Sequence, residues 1–449
     1  MQFTSLAFAI FLPIVFVIYW AVPNKYRMSL LLLVSYGFYM TFSKGYVILL
    51  IGLSLLTYMI GIHCSKKKII AGVIIQSALL LGFKYAGWIP GVGDSLVIPV
   101  GISFYIFKAI SYMADVYQGK IEPERKMLPL FLYLAFFPDI VSGPINRAEN
   151  LIPQLKEEKI FDYDCAVYGM RRILLGLFKK LLIADTLARY VDKVFAVPGS
   201  YMGISYFFAA VFYTIEIYCD FSGYSDMAVG IARLFGISSM ENFKSPYLAT
   251  NIQEFWNRWH ISLSTWLRDY VYIPLGGSRK GKVKTYFNLM ITFLVSGIWH
   301  GANLTFLVWG ALHGCYQIVY RFYKNHSHKK LPRLIGFVLT FSFVGLAWIF
   351  FRADSVADAW YMIRYMGYNL DPLLAYRKMG MIRQDFVLII CSVLLLAIYD
   401  WVSLKEDVLA SMKHWKAPLR WVVYLVMAAV ILTFHLHNGT SQQFIYFQF

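Results

Sequence analysis

The chain has 449 residues, 59% of them hydrophobic, 18% aromatic and only 15% charged. Its mean hydropathy is +0.56, whereas soluble domains carry about 25% charged residues, so a soluble globular fold is excluded. The excess of 42 basic over 25 acidic residues, +17 overall, comes with no nucleic-acid motif; in a membrane chain it is what positively charged cytoplasmic loops produce.

The apolar residues fall in blocks, which sets the elements in chain order. The first, 6–20, has no basic residue before it and no small-residue cleavage site after it, so it reads as a permanent membrane helix rather than a removable signal. Blocks 30–39, 47–62, 69–81 and 98–116 follow. Lys25 and Arg27, then Lys66, Lys67 and Lys68, then Lys120, Arg125 and Lys126 occupy alternate loops, while those near Lys44 and around 90–94 carry little charge. One alternation fits: N-terminus outside, lysine-rich loops cytoplasmic. Block 128–141 breaks the pattern. Lys126 flanks it on one side and Arg147 and Lys156 on the other, and it contains Pro138 and Asp139 before Gly143-Pro144. It reads as a re-entrant segment, tolerated where protein covers its backbone.

The stretch 170–193 sets Arg171, Arg172, Lys179 and Lys180 among leucines. It suits either an amphipathic interfacial helix or a steep helix with snorkelling ends. Block 204–218 is apolar. The stretch 251–284, rich in Trp, Arg and Gly, is too polar to span and reads as a second re-entrant region. Blocks 289–299, 334–351, 386–398 and 421–434 complete the series. Alternating strands are absent, and lipid offers open backbone no partners. The expected fold is therefore all-α: a polytopic transmembrane helical bundle of roughly eleven spans plus re-entrant helices. With no internal repeat or linker, residues 1–449 read as one integral membrane domain. The five cysteines show neither disulfide nor zinc spacing.

Ionisable residues inside a membrane mark candidate sites. Four clusters qualify: Phe137-Pro138-Asp139 to Arg147, Tyr218 to Asp226, Glu254 to Ser264, and Ser296 to Asn303. His300 ends an apolar run beside Gly297 and Gly301. Burial keeps an imidazole neutral and able to accept a proton; the other reading is a histidine bonded to a neighbouring helix. For His313 the structural reading is preferred, because buried polar groups usually find partners. His260 sits among Trp256, Asn257, Arg258 and Trp259, either an interfacial anchor or the mouth of a donor pocket. Arg258, Arg268, Arg279, Lys280, Lys282 and Lys284 would make a positive field for a phosphate-bearing donor, or simply set topology. Asp220 and Asp226 read as a packing network, a cap or a proton relay. Neither His326 with His328 nor His435 with His437 has ligands at metal spacing. Asn438-Gly439-Thr440 matches a glycosylation sequon of the kind that recurs by chance.

At these clusters the chain resembles the membrane-bound O-acyltransferases, and among them the membrane subunit of bacterial alginate O-acetylation. The likeness rests on Pro99-Val100-Gly101-Ile102-Ser103-Phe104, Phe137-Pro138 with Ser142-Gly143-Pro144-Ile145, and Asp220-Phe221-Ser222-Gly223-Tyr224-Ser225. It continues in Glu254-Phe255-Trp256-Asn257-Arg258-Trp259-His260-Ile261-Ser262-Leu263-Ser264, Arg268-Asp269-Tyr270, Ile273-Pro274-Leu275-Gly276-Gly277, Trp299-His300-Gly301 and the ending 444–449. It covers nearly the whole chain, and the Trp-Asn-Arg-Trp-His run is its most specific part.

The resemblance implies a central tunnel or opposed funnels, His300 as the catalytic histidine and His260 as a second, supporting one. Asn257, Arg258, Trp256, Trp299, Asp220 and Ser222 are the candidate substrate-binding residues. It further implies a multi-pass protein of the bacterial cell membrane, in contact with membrane lipid. Such a protein takes an acetyl group from a cytoplasmic thioester, acetyl-CoA, as substrate rather than bound cofactor. It passes that group to an extracytoplasmic acetyltransferase partner, with a polysaccharide as final acceptor. The D-alanylation transferase of teichoic acid shares the Trp-Asn-Arg-Trp-His run and is the alternative. A lipid-linked sugar transporter would show pseudo-symmetric halves, and a non-catalytic export scaffold would not need its histidines.

Overall fold

A computed structural model describes residues 1–88, 98–327, 331–438, 442, 444 and 445. The loop 90–94, His328, the side chains of His435 and His437, Gly439-Thr440 and the close of the chain after 445 lie outside the described residues. Every regular element among those described is helical. Among the described residues, four helices are long and apolar enough to cross a bilayer: Lys66–Tyr85, Ile204–Leu234, Arg333–Arg352 and Arg383–Ser403. Leu6–Ala21 and Tyr46–Ile62 are also apolar but have 16 and 17 residues. At 1.5 Å per residue they rise about 25 Å, a little short of the ~30 Å hydrocarbon core. The outward faces of these helices carry Val17, Ile48, Ile74 and Leu394, all exposed, as lipid contact requires. The Ile204–Leu234 apolar window is 72% buried, against 22% for Lys66–Tyr85, so protein rather than lipid surrounds most of it.

Packing divides the chain into two compact units, residues 1–176 with 224–241, and 177–223 with 242–449. The 31-residue Ile204–Leu234 helix gives its first part to the second unit and its last part to the first.

In the first unit, block 128–141 is a nine-residue helix, Met127–Ala135, and a four-residue turn, Phe137–Ile140. Neither is long enough to span. Phe136 breaks the run with non-helical torsions of φ −49° and ψ 111°, and Pro138 starts the second piece. Gly143 closes the turn where a Cβ would lie 2.4 Å from the Asp139 Cα. The freed polar groups are met by protein. Ser35 Oγ accepts from the Phe137 N–H at 3.1 Å, and Asp139 accepts from Lys108 Nζ at 3.3 Å and Asn146 Nδ2 at 2.8 Å. Glu124, before the block, forms an ion pair with Lys156, after it. Both ends thus lie together, the geometry a re-entrant segment needs.

In the stretch 170–193 several of the basic side chains are held by protein. The Tyr163–Leu177 helix passes through a π-helical turn, Phe178–Ala184, into Asp185–Ala196, and Arg171, Lys179 and Lys180 are buried. In the first unit Arg172 Nε donates to Asp226 at 2.7 Å and also pairs with Glu241. In the second, Lys180 pairs with Asp185 at 2.8 Å and Asp220 at 2.5 Å. A charge far from water needs a counter-charge, and Arg172 and Lys180 each have one.

Candidate active site

His300 ends the Lys282–His300 helix, and Leu304–His326 returns alongside it. The link is capped by Asn303, whose Oδ1 accepts from the Thr305 N–H at 3.1 Å and whose Nδ2 donates to the Asp354 carbonyl at 2.7 Å. Glycine lets the two helices close up. A Cβ on Gly297 would sit 2.4 Å from the Phe306 carbonyl oxygen, and one on Gly310 2.5 Å from that of Phe293. No side chain fits there, so backbone meets backbone.

His300 is 4% exposed. Its ring lies 4.6 Å from Trp299, 4.9 Å from Phe351 and 5.0 Å from Trp309, edge to face in each case. One helical turn past Trp309 comes His313, 4.9 Å from it ring to ring. His313 Nδ1 accepts from Trp256 Nε1 at 3.2 Å, so a neutral His313 carries its proton on Nε2. That Nε2, Trp309 Nε1 and Ser296 Oγ are buried with no hydrogen-bond partner among the described residues.

His260 falls between two short helices, Ile252–Arg258 and Ile261–Leu267, with left-handed torsions of φ 40° and ψ 55°. A non-glycine residue there carries about 1–2 kcal/mol of strain. The fold holds it by bonding its neighbours: the Ile261 N–H donates to the Asn242 carbonyl at 2.9 Å, and Ser262 Oγ to Asn242 Oδ1 at 2.6 Å. The imidazole is 1% exposed and stands edge-on to Phe221 at 4.5 Å. Burial pushes its pKa well below the ordinary histidine value and keeps it neutral. Trp348 links the two histidines' surroundings, lying 5.8 Å from Trp309 and 5.1 Å from Trp259.

The other expected residues scatter. Trp256 and Trp299 belong to the aromatic walls just described. Asn257 is exposed on the far side of its helix from Phe255 and Trp256. Arg258 is tied to Glu254 at 2.6 Å, and Arg268 to Asp269 at 2.8 Å, so neither adds a free charge to the expected positive field. Arg279, Lys280, Lys282 and Lys284 remain, all exposed. Lys282 and His300 are the two ends of one 19-residue helix, about 27 Å apart at 1.5 Å per residue. Asp220 accepts from Lys180 and from the Ile445 N–H at 3.0 Å, which makes it part of a packing network. Ser222 is buried, its Oγ without a partner among the described residues. Asp226 belongs to the first unit with Arg172. Groups of three or more metal-capable side chains are absent among the described residues.

Sequence reading missed Trp309, Trp348 and Phe351. The Trp309–His313 spacing of four places both on one helical face, and that was the available signal.

A polytopic helical chain with a buried histidine in an aromatic enclosure fits an acyltransferase of the membrane. The model of the family described as MBOAT, membrane-bound O-acyltransferase, matches residues 125–363, and the chain belongs to this family. A Pseudomonas putida protein named "Probable alginate O-acetylase AlgI" is 35% identical, covering 100% of both chains. A peptidoglycan O-acetyltransferase of Helicobacter pylori is 33% identical over 81% of this chain and 79% of its own length. A teichoic acid D-alanyltransferase of Bacillus subtilis is 30% identical over 56% of this chain and 67% of its own.

Proposed function

We propose that this acyltransferase takes an acetyl group from a cytoplasmic thioester, acetyl-CoA, and delivers it to a hydroxyl beyond the membrane. An extracytoplasmic partner then completes the O-acetylation of an exopolysaccharide or cell-wall polymer. The observation that carries this reading is the enclosure around His300, where an imidazole shares an aromatic cage with buried polar atoms that no described side chain meets. In this reading His300 accepts the acceptor's hydroxyl proton as its oxygen attacks the thioester carbonyl. The C–S bond breaks, and the imidazolium returns the proton to the thiolate, leaving ester and free thiol. A positioned base contributes roughly 100- to 10,000-fold. Trp309 Nε1–H and His313 Nε2–H are the donors available to the developing oxyanion, and one such donor is worth about 100- to 1,000-fold.

His260, Asn257 and Ser222 are assigned to holding the donor. Arg279, Lys280, Lys282 and Lys284 gather it by charge and do not touch the reacting atoms. A D-alanyl group would move by the same steps, and the teichoic acid relative keeps that reading open; the fuller coverage by the alginate and peptidoglycan relatives favours acetyl. Family membership sets aside the transporter and the scaffold. Purified protein given radiolabelled acetyl-CoA, with and without extracytoplasmic partners, tests the proposal. Thioester consumption that depends on acceptor is expected, and none with acetyl-CoA but turnover with a D-alanyl thioester would replace it by the second reading.

A further inference from the structure

In the first unit a cavity of about 200 Å³ opens between the start of the Asn24–Met40 helix, the end of Ala148–Lys156 and residues 157–159. Four cations line it, Lys25, Arg27, Lys156 and Lys159, against the carboxylates Glu157 and Glu158. The pairing is uneven. Lys159 bonds Glu157 at 2.8 Å, and Lys156 bonds Glu124. Arg27 donates to the carbonyl oxygens of Lys159 at 2.7 Å, Val22 at 3.0 Å and Trp20 at 3.3 Å, and lies over the Tyr19 and Trp20 rings at 5.2 and 4.8 Å. Lys25 lies over the Tyr26 ring, 4.9 Å from its centroid. Two positive charges at the mouth of a cavity thus have no carboxylate of their own among the described residues.

The rim has a different chemistry. Ile160 is 88% exposed, and Phe161 and Tyr26 are also exposed. Phe161 packs edge-on against Trp20 at 5.2 Å and Phe16 at 6.1 Å, so it extends the flank of the Leu6–Ala21 helix, on which Val17 and Ile18 face outward. A basic cavity therefore sits at the end of a lipid-facing apolar surface.

We propose that this cavity binds the headgroup of an anionic phospholipid, with Lys25 and Arg27 holding the phosphate and Ile160 and Phe161 lying along the acyl chain. Basic recesses at the ends of membrane helices attract such headgroups, each cation contributing to the hold. A soluble phosphate ester would gain nothing from Ile160. A zwitterionic lipid brings its own ammonium against Lys25.

The test uses the full-length protein in zwitterionic detergent, with bound lipid counted by native mass spectrometry as phosphatidylglycerol or phosphatidylcholine is added. Phosphatidylglycerol is expected to be retained in preference. Lys25→Gln, an exposed change that leaves the fold alone, should weaken it about fivefold, the loss of one basic contact. Ile160→Ser should weaken it as well, and millimolar glycerol phosphate should not displace it. Equal retention of the two lipids, or an unchanged Lys25→Gln protein, overturns the proposal. So does displacement by glycerol phosphate with Ile160→Ser indifferent, which would make the cavity a site for a soluble phosphate ester.

Discussion

Lys180, Asp185 and Asp220 are buried in the second unit, and so are Ser296, Trp309 and His313. In the first set Lys180 pairs with both carboxylates. The second three hold polar atoms that no described residue meets. Burying a polar atom without a partner costs about 1–3 kcal/mol, a cost the hairpin carries at Ser296, Trp309 and His313. Partnered burial holds the molecule together; the unpartnered atoms of the hairpin are the ones the proposed reaction uses.

The sharpest break of that comparison is at His300. His300→Gln keeps polarity but cannot serve as a base near neutral pH, and acetyl transfer should fall by roughly 100- to 10,000-fold while membrane levels stay normal. Radiolabel transfer alongside immunoblotting checks both, and a near wild-type rate would remove His300 from the chemistry. Lys180→Met should do the reverse. It strands Asp185 and Asp220, at a cost of about 3–5 kcal/mol, and thermal unfolding in detergent should show protein lost rather than protein slowed. Gly310→Ala drives a methyl against the Phe293 carbonyl and should cost about 1–3 kcal/mol by overpacking, with activity falling as the hairpin opens. Smallest is Trp256→Phe, which removes the N–H that His313 Nδ1 accepts. It should cost about 1 kcal/mol and frees His313 to change tautomer, so a drop in kcat larger than the stability loss would tie His313 to the reaction.

The long apolar helices were legible because hydropathy is a local property: Arg333–Arg352 and Arg383–Ser403 follow the blocks read at 334–351 and 386–398. The interruption near Phe136 was announced by Pro138 and Gly143. For Lys179 and Lys180 the sequence left an interfacial helix and snorkelling ends both open, because one of the acids that hold Lys180, Asp220, lies forty residues further on and becomes its neighbour only on folding. Position also betrayed Arg258, which looked like a free charge until Glu254, one turn back, proved to be its partner. His300 stood out from its glycine flanks and its resemblance, but the ring that faces it, Trp309, comes near only because Gly297 lets the Phe306 backbone approach.

The ion pair between Glu124 and Lys156 has a bearing on how the rest of the chain is counted. A segment whose two ends meet on one face adds nothing to the tally of crossings. On the re-entrant reading, treating 128–141 as a traverse because it is apolar would introduce an error of parity, and every loop after it would be assigned to the wrong side of the bilayer. Reporter fusions placed before residue 124 and after residue 156 should therefore give the same sign, and the orientation of all later helices depends on that single reading.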